Sequence, residues 1–355
     1  MFNGQRLVIA RQRRRLTAKE LAGRIGRVPH TVTRLEQGDV TDPEADTVAA
    51  LAAALEFPEA FFFGDDAEPL KEGASFRSLT SMRARDRDAA LAAGSVAFIL
   101  DDWVERRFNR PACAVPLLDP AILPDQAARL VRQEWGLGEK PVSDMVRMLE
   151  AKGVRVFSLA DTARTVDAFS CWRGETPYVF LSPHKSAERM RFDAAHELGH
   201  LVLHRHGGGV GRVAEQEANR FASCFLMPTD DVLARVPGVT ALDDLVRAKR
   251  RWKVSVAALA YRLHKLRRLS DWQYRGFCIE MQQRGFTMRE PDPIEPERSV
   301  IWRKVFAELW TDRLGREHLA AELDLPVSEI DNLVFGLTGG APPACGRERT
   351  LGLVA

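Results

Sequence analysis

Apolar positions recur at helical spacing near the amino terminus, and short glycine-containing turns separate the groups. Leu21 and Ile25 lie about one turn apart in a segment that opens with Thr17 and Glu20. A Thr followed three residues later by Glu is a capping box, in which the two side chains satisfy backbone amides at the start of a helix. Gly26 favours the end of that helix. The pattern therefore predicts a short helix between Thr17 and Gly26.

A second short helix is predicted from about Pro29 to Glu36, with Val32 and Leu35 on its inner side and Gly38 after it. Val28 precedes this helix where a capping Ser or Thr is usual, and Pro29 partly compensates because its ring fixes a helical φ. Two helices joined by a glycine-containing turn form a helix-turn-helix, so we expect an all-α N-terminal domain.

The middle of the chain mixes helical and extended patterns. Residues 89–107, 125–135 and 141–152 place apolar side chains at helical spacing, and the first of these helices is expected to act as a rigid spacer. Val154–Phe157 and Tyr178–Leu181 are short runs of β-forming residues and predict strands. The predicted fold is therefore mainly α, with an α+β region that holds a small sheet.

The chain is predicted to be helical after Pro228. Residues 245–268 contain nine Lys or Arg and no acid, which favours a solvated basic face over a second surface for a polyanion. Residues 291–297 form a proline- and acid-rich linker, and residues 319–333 faintly repeat the spacing of a helix-turn-helix. The Gly- and Pro-containing residues 338–355 predict a mobile tail.

Composition is that of a globular chain, with 45% hydrophobic and 28% charged residues among 355. No stretch reaches about 18 consecutive apolar residues, and Met1–Arg6 lacks the apolar run of a signal peptide. The five cysteines are widely spaced and form no C-x-x-C pair, which argues against a disulfide framework and a thiolate metal site. We therefore expect a cytoplasmic protein with reduced cysteines and no membrane partner.

Candidate chemistry centres on two histidines four residues apart, His196 and His200, with Glu197 directly after the first. Residues 191–203 form one predicted helix, so both imidazoles lie on one face and can hold a single Zn²⁺. A carboxylate beside zinc can take a proton from the water that attacks a peptide carbonyl. This HExxH pattern predicts Glu197 as general base. A core helix with two structural histidines would not explain a glutamate on an apolar face.

A catalytic zinc usually takes three protein ligands and keeps its fourth position open, so one ligand remains to be found. His206 has the spacing of an HExxHxxGxxH motif, but Leu203 stands at the glycine of that motif. His204, a further turn along, is expected to lie off the ligand face. A carboxylate from a second helical stretch is the third option, and Glu215 is preferred over Glu217.

The motifs around these residues resemble the ImmA/IrrE family of metallopeptidases. The resemblance rests on Phe192–Leu201, on Glu215–Ala222 and on Phe225–Pro228, and it covers roughly residues 120–265. It implies a zincin-like metallopeptidase domain and places the third zinc ligand at Glu215. Residues 178–181 are proposed to hold an extended substrate by backbone hydrogen bonds, as strand edges beside the metal do in zinc peptidases, and a simple core strand is the alternative.

Charge is uneven although the net charge is only +2. Residues 1–38 contain nine Lys or Arg and two acids, whereas residues 39–70 contain nine acids and no Lys or Arg. A basic N-terminal segment suggests contact with a polyanion. The sequence of Leu16–Gly38, with the apolar positions of residues 48–58, resembles the Xre and lambda-repressor-like DNA-binding family.

That resemblance places the second helix in the major groove of double-stranded DNA. The outward positions expected to contact bases are Pro29, His30, Thr31, Thr33 and Arg34. Arg34 is the strongest candidate, because a guanidinium can make two hydrogen bonds to guanine. Four further arginines are assigned to phosphates or to a solvated face: Arg11, Arg13, Arg14 and Arg15. A homodimer is expected because such readers usually span two half-sites.

Five regions are expected: a helix-turn-helix domain at 1–65, a helical connector at 66–118, a zinc metallopeptidase domain at 119–265, a helical region at 266–337 and the tail at 338–355. The combination predicts a DNA-binding regulator with a zinc-dependent endopeptidase domain. By the resemblance, the substrate is a repressor or antitoxin-like protein in a stress or mobile-element response. The alternative is a non-proteolytic Xre-type repressor or antitoxin whose zinc domain senses a ligand or partner.

Overall fold

A computed structural model describes residues 1–70, 83–159, 168–205 and 211–338. The chain begins with four helices and a short 3₁₀ segment. Their bounds are α1 Gly4–Arg13, α2 Ala18–Arg24, α3 Pro29–Glu36, α4 Ala45–Leu55 and the 3₁₀ segment Glu59–Phe63. Both halves of the capping box at Thr17 and Glu20 are formed, which confirms the predicted start of α2. Gly26 and Gly38 have positive φ after α2 and α3, as turns at those positions require.

The central part combines helices with one small sheet. The elements are α5 Ala84–Arg107, α6 Pro124–Glu134, α7 Met145–Ala151, β1 Arg155–Ser158, β2 Ala168–Arg173, β3 Thr176–Leu181, α8 Ala187–Leu203 and α9 Arg212–Leu226. Strand β2 was missed, because its pattern was not distinguished from a loop. The remaining prediction of a mainly α chain with a small sheet is confirmed.

Helices continue to the end of the described chain. They are α10 Thr229–Arg235, α11 Leu242–Lys249, α12 Val256–Lys265, α13 Asp271–Gln283, α14 Val300–Thr311, α15 Arg316–Glu322 and α16 Val327–Val334, followed by the 3₁₀ segment Phe335–Leu337. No helix in these ranges is long and apolar enough to cross a membrane. Apart from Thr338, the predicted tail 338–355 lies outside the described residues.

The sheet has the order β1-β3-β2, with β1 parallel and β2 antiparallel to β3. Alternate side chains point to opposite faces of a strand, and the two faces here enter two different hydrophobic cores. Phe157, Phe169 and Phe180 belong to a core shared with α1, α5 and α14–α16. Val179 and Leu181 belong to a core shared with α6–α13. The sheet thus separates the two hydrophobic cores.

Helix α5 is not a free spacer. Thirteen of its 24 residues are buried, because it packs between α1 and the sheet. Asp101 on this helix accepts a hydrogen bond from the Tyr178 hydroxyl of β3 at 2.6 Å. The spacer prediction is wrong because the Ala-rich surface of α5 allows neighbours to pack on more than one side.

The linker after α13, residues 291–297, is held by an ion pair with α8. Arg191 of α8 donates to the Glu297 carboxylate, and both side chains are buried. The same carboxylate accepts from the backbone amides of Met145 and Val146 at 2.8 and 3.1 Å, at the start of α7. Glu297 therefore links this segment to the start of α7 and to the helix that carries the candidate metal site.

The basic run 245–268 is mostly engaged within the protein. Lys249 is buried against Glu188, Arg251 makes two hydrogen bonds to Asp231, and Arg262 is buried against Met227 O. These contacts favour the structural interpretation of the run over a second polyanion surface.

Candidate metal centre and nucleic-acid interface

Helix α8 carries the HExxH motif and lies directly against α9. Ser186 caps α8 by accepting a hydrogen bond from the amide of Arg189. Gly199 makes the close approach to α9 feasible, because a Cβ there would lie 3.1 Å from the Phe221 ring and 3.2 Å from the Ala218 Cα. The two helices therefore bring Glu215, on the first turn of α9, to the histidine face of α8.

Three donor atoms converge between the helices. The Nε2 atoms of His196 and His200 lie 3.0 Å apart, and the Glu215 carboxylate oxygens lie 3.3 Å from the first and 3.5 Å from the second. All the ligand atoms of this group lie within 4.8 Å of one another. Glu215 Oε1 is buried, and no donor among the described residues hydrogen-bonds it. Two imidazoles, a carboxylate and an unpartnered buried oxygen fit a divalent metal of the zinc type.

The Nδ1 atoms of His196 and His200 each have a hydrogen-bond partner, which orients the Nε2 atoms toward the converging donors. His196 Nδ1 donates to Asn219 Oδ1 at 3.1 Å. His200 Nδ1 lies 2.9 Å from His204 Nδ1, and His204 Nε2 lies 3.0 Å from Glu217 Oε2. One proton arrangement satisfies this chain: His200 donates to His204, and His204 donates to Glu217. It leaves the His200 Nε2 lone pair free for a metal.

The other third-ligand candidates occupy different places. Glu217 and His204 form the outer layer just described and do not join the three converging donors. His206 lies outside the described residues. The structure therefore brings Glu215, and not its rivals among the described residues, to the two histidines.

The charge states of His200 and Glu215 suit metal binding, whereas the carboxylates of Glu215 and Glu197 raise the pKa of His196 despite its burial. Burial lowers the pKa of His200 to about 4, so its imidazole is neutral near pH 7. Burial tends to raise the pKa of Glu215, but the attraction of the adjacent His196 and His200 outweighs it and holds that pKa well below its usual range. Neutral imidazole and ionised carboxylate are the forms that bind a metal.

Glu197 lies on the same helix as the two histidines and contacts the sheet. Its side chain is almost fully buried, and its Oε2 accepts a hydrogen bond from the Ser170 hydroxyl of β2 at 2.6 Å. Burial raises the pKa of Glu197 to about 7. A carboxyl that titrates near neutral pH is suited to general base catalysis. Ser170 was not found from the sequence, because β2 itself was missed.

The prediction that residues 178–181 hold an extended substrate is wrong. Tyr178–Leu181 belongs to β3, the central strand, whose residues pair with β1 on one side and β2 on the other. Its backbone groups are therefore committed to the sheet. No strand among the described residues pairs with the outer side of β2, the strand that contacts Glu197 through Ser170.

The candidate base-contacting positions lie along α3. Pro29, His30 and Arg34 are exposed, and Thr31 and Thr33 are half-buried. The Thr33 hydroxyl donates to the backbone oxygen of Pro29 at 3.2 Å. Helix α3 begins at Pro29 without a side-chain cap from Val28, in agreement with the sequence. The side chains at the other four positions make no hydrogen bond to the backbone of the described residues, and Arg34 is the most suited to a base edge.

The assignment of the N-terminal arginines to phosphates or a solvated face is wrong. Arg11 pairs with Glu36 at 2.5 Å, and Arg15 with Asp86 at 3.1 Å. Arg13 and Arg14 both bind Glu329 of α16, at 2.7 and 2.8 Å. The sequence could not reveal this pairing, because Glu329 is more than three hundred residues away. Lys19 and Arg24 of α2 are exposed.

Comparisons with known families agree with both halves of the molecule. Residues 149–264 match the model of the IrrE N-terminal-like domain, a peptidase family, and residues 4–60 match the model of a helix-turn-helix domain. No curated protein matches the chain. The chain therefore carries a helix-turn-helix domain, which indicates DNA binding and regulation, and a metallopeptidase-like domain.

Proposed function

We propose that this protein is a DNA-binding transcriptional regulator with a zinc-dependent endopeptidase domain. The observation that carries the proposal is the convergence of His196, His200 and Glu215 within 4.8 Å, with Glu197 on the same helix. A structural zinc site usually closes its coordination with a fourth protein ligand and needs no general base beside it. The set of three donors with an adjacent carboxylate favours catalysis.

The proposed roles follow from the contacts. His196, His200 and Glu215 hold the metal, and the chemistry that zinc supplies in such a site is a water of lowered pKa and a polarised carbonyl. Glu197, once ionised, accepts the proton of the attacking water and later returns a proton to the leaving amine. Ser170 holds the Glu197 carboxylate by its hydrogen bond. Asn219 and the pair His204–Glu217 fix the two ligand imidazoles.

The proposed substrate is a protein, a repressor or antitoxin-like regulator, and the proposed setting is a stress or mobile-element response. Both rest on the resemblance to the ImmA/IrrE family. The DNA partner is a double-stranded operator, read by α3 through Arg34 and its neighbours. A homodimer on two half-sites is part of the same proposal, because helix-turn-helix readers usually bind in pairs.

Metal analysis combined with a cleavage assay tests the proposal. We expect about one zinc per chain in the wild type and in Glu197→Gln, and none in His196→Ala. Incubation with other Xre-type repressors of the host should give cleavage by the wild type alone, since Glu197→Gln keeps the metal but lacks the base. Zinc without cleavage would favour the non-proteolytic regulator whose zinc domain senses a ligand or partner. Absence of zinc from the wild type would refute the site.

A further inference from the structure

The last three helices repeat the first three. Helices α15 and α16 have the same lengths as α2 and α3 and start at one constant offset along the chain, from Ala18 to Arg316 and from Pro29 to Val327. Helix α14 ends at the position equivalent to the end of α1. The positive-φ turn residues also correspond, Arg15 with Arg313 and Gly26 with Asp324. Equal helices and equal turns define a second helix-turn-helix.

We call α1–α3 the first unit and α14–α16 the second unit. The buried residues of the two units follow the same pattern. At the same offset, Leu21 and Ala22 become Leu319 and Ala320, and each of the four is almost fully buried. On the third helix, buried Val32 and Leu35 are replaced by buried Ile330 and Leu333. Apolar side chains at matching positions explain why both segments adopt the same three-helix fold.

The outward positions of the two units differ in charge and in environment. Where α3 has Thr31, Thr33 and Arg34, α16 has Glu329, Asp331 and Asn332. Glu329 is fully buried, whereas Thr31 is half-buried. Two carboxylates at base-reading positions would repel DNA phosphates, and a buried position cannot enter a groove.

Glu329 instead binds the first unit. Its two oxygens accept hydrogen bonds from Arg13 Nε at 2.7 Å and from Arg14 Nη1 at 2.8 Å. Arg13 also donates to Ala89 O of α5, and Arg14 to Leu55 O at the end of α4. This one carboxylate therefore links α16 to the first unit and, through Arg13, to α5.

The second unit also contacts the sheet. Trp302 Nε1 donates to Val156 O of β1 at 3.0 Å. A Cβ on Gly336 would lie 2.1 Å from the Ser158 hydroxyl oxygen, so a larger residue would force a neighbouring side chain to shift at this close approach to β1. The second unit is thus seated between the DNA-reading unit and the metallopeptidase-like domain.

We infer that residues 300–336 are a second helix-turn-helix whose recognition helix is a protein-docking surface, and that its partner is the Arg13–Arg14 face of the first unit. This unit does not read DNA. It fixes the orientation of the DNA-reading unit relative to the sheet.

Hydrogen–deuterium exchange on the full chain tests the docking. In Glu329→Gln we expect amide exchange to accelerate about tenfold or more in both α1 and α16, because a buried arginine pair loses its charged partner. Glu317→Gln is the matched control, since its carboxylate is half-exposed and pairs with the neighbouring Arg316. Faster exchange in α16 with unchanged exchange in α1 would overturn the inference.

A second variant approaches the contact from the other side. The Arg14 side chain is 16% exposed, so Arg14→Gln is better tolerated than a change at Arg13 and should accelerate exchange in α16. Unchanged exchange in α16 would contradict the docking. Binding to a pool of random-sequence DNA duplexes tests the second half of the inference: Asn332→Ala should bind as the wild type does, and a tenfold or larger loss would show that α16 reads DNA.

Discussion

The Ser170 hydroxyl donates a hydrogen bond of 2.6 Å to the Glu197 carboxylate, across the interface between β2 and α8. The proposed base is therefore held by the sheet and not only by its own helix. Since a hydrogen bond from a neutral hydroxyl favours the charged form of a carboxyl, Ser170 opposes the effect of burial on Glu197.

This contact predicts a pH profile. Glu197 must be ionised to act as base, and burial raises its pKa to about 7, so cleavage should fall as the pH drops through that value. Ser170→Ala removes the stabilising donor and should move the acidic limb upward by about one pH unit. The measurement is kcat/KM across the acidic limb. Ser158→Ala is the control, because the hydroxyl of this buried serine of the same sheet has no hydrogen-bond partner among the described residues, and the change should leave the limb in place.

The two glutamates of α9 should differ in their effect on metal binding. Glu215→Ala removes one of three converging donors and should abolish stoichiometric zinc binding. Glu217→Ala removes a hydrogen-bond partner of His204 but none of the three converging donors, and it should weaken zinc affinity about 10- to 100-fold. Competition with a chromogenic chelator measures both. A larger loss in Glu217→Ala than in Glu215→Ala would reverse the ligand assignment.

Base readout and phosphate contact should separate on the first unit. Arg34→Ala should cost about 1–3 kcal/mol of discrimination between a selected duplex and a scrambled one, because a bidentate base contact is lost. Lys19 is an exposed residue of α2, and Lys19→Ala should weaken binding to both duplexes alike and reduce the salt dependence of log K by about 1. Titrations at several salt concentrations distinguish these effects, and an equal loss on both duplexes in Arg34→Ala would exclude base reading.

The buried pair Arg191–Glu297 should carry a large share of the stability of the metallopeptidase-like half. Glu297→Ala leaves a buried guanidinium unpaired and should lower the free energy of unfolding by about 3–5 kcal/mol. Urea denaturation measures the change. Glu295→Ala, an exposed acid of the same segment, should change it by no more than about 0.5 kcal/mol. Similar effects of both substitutions would show that the pair contributes little.

Local signals in the sequence predicted much of the fold. The capping box at Thr17 and Glu20 and the glycine turns located α2 and α3, because these features act between residues close in sequence. The spacing of His196 and His200 defined a ligand face for the same reason. The zinc ligands, the base and the domain bounds themselves stay predictions until measured.

Long-range pairings could not be predicted in the same way. Nothing near Arg13 in the sequence distinguishes an arginine that binds DNA from one that binds Glu329. The role proposed for Tyr178–Leu181 was wrong because strand order depends on β2, whose partner strand cannot be known from local pattern alone. Tertiary contacts determine the partner of an arginine and the order of strands in a sheet.

The position of the sheet between two cores has a practical consequence for dissecting this protein. A fragment containing only residues 119–265 would expose Phe157, Phe169 and Phe180 to water, since their partners come from both ends of the chain. Such a fragment should be prone to aggregation even if its metal ligands are intact. The first and last described helices complete the hydrophobic packing of the middle, so we expect the helix-turn-helix and metallopeptidase-like parts to unfold together.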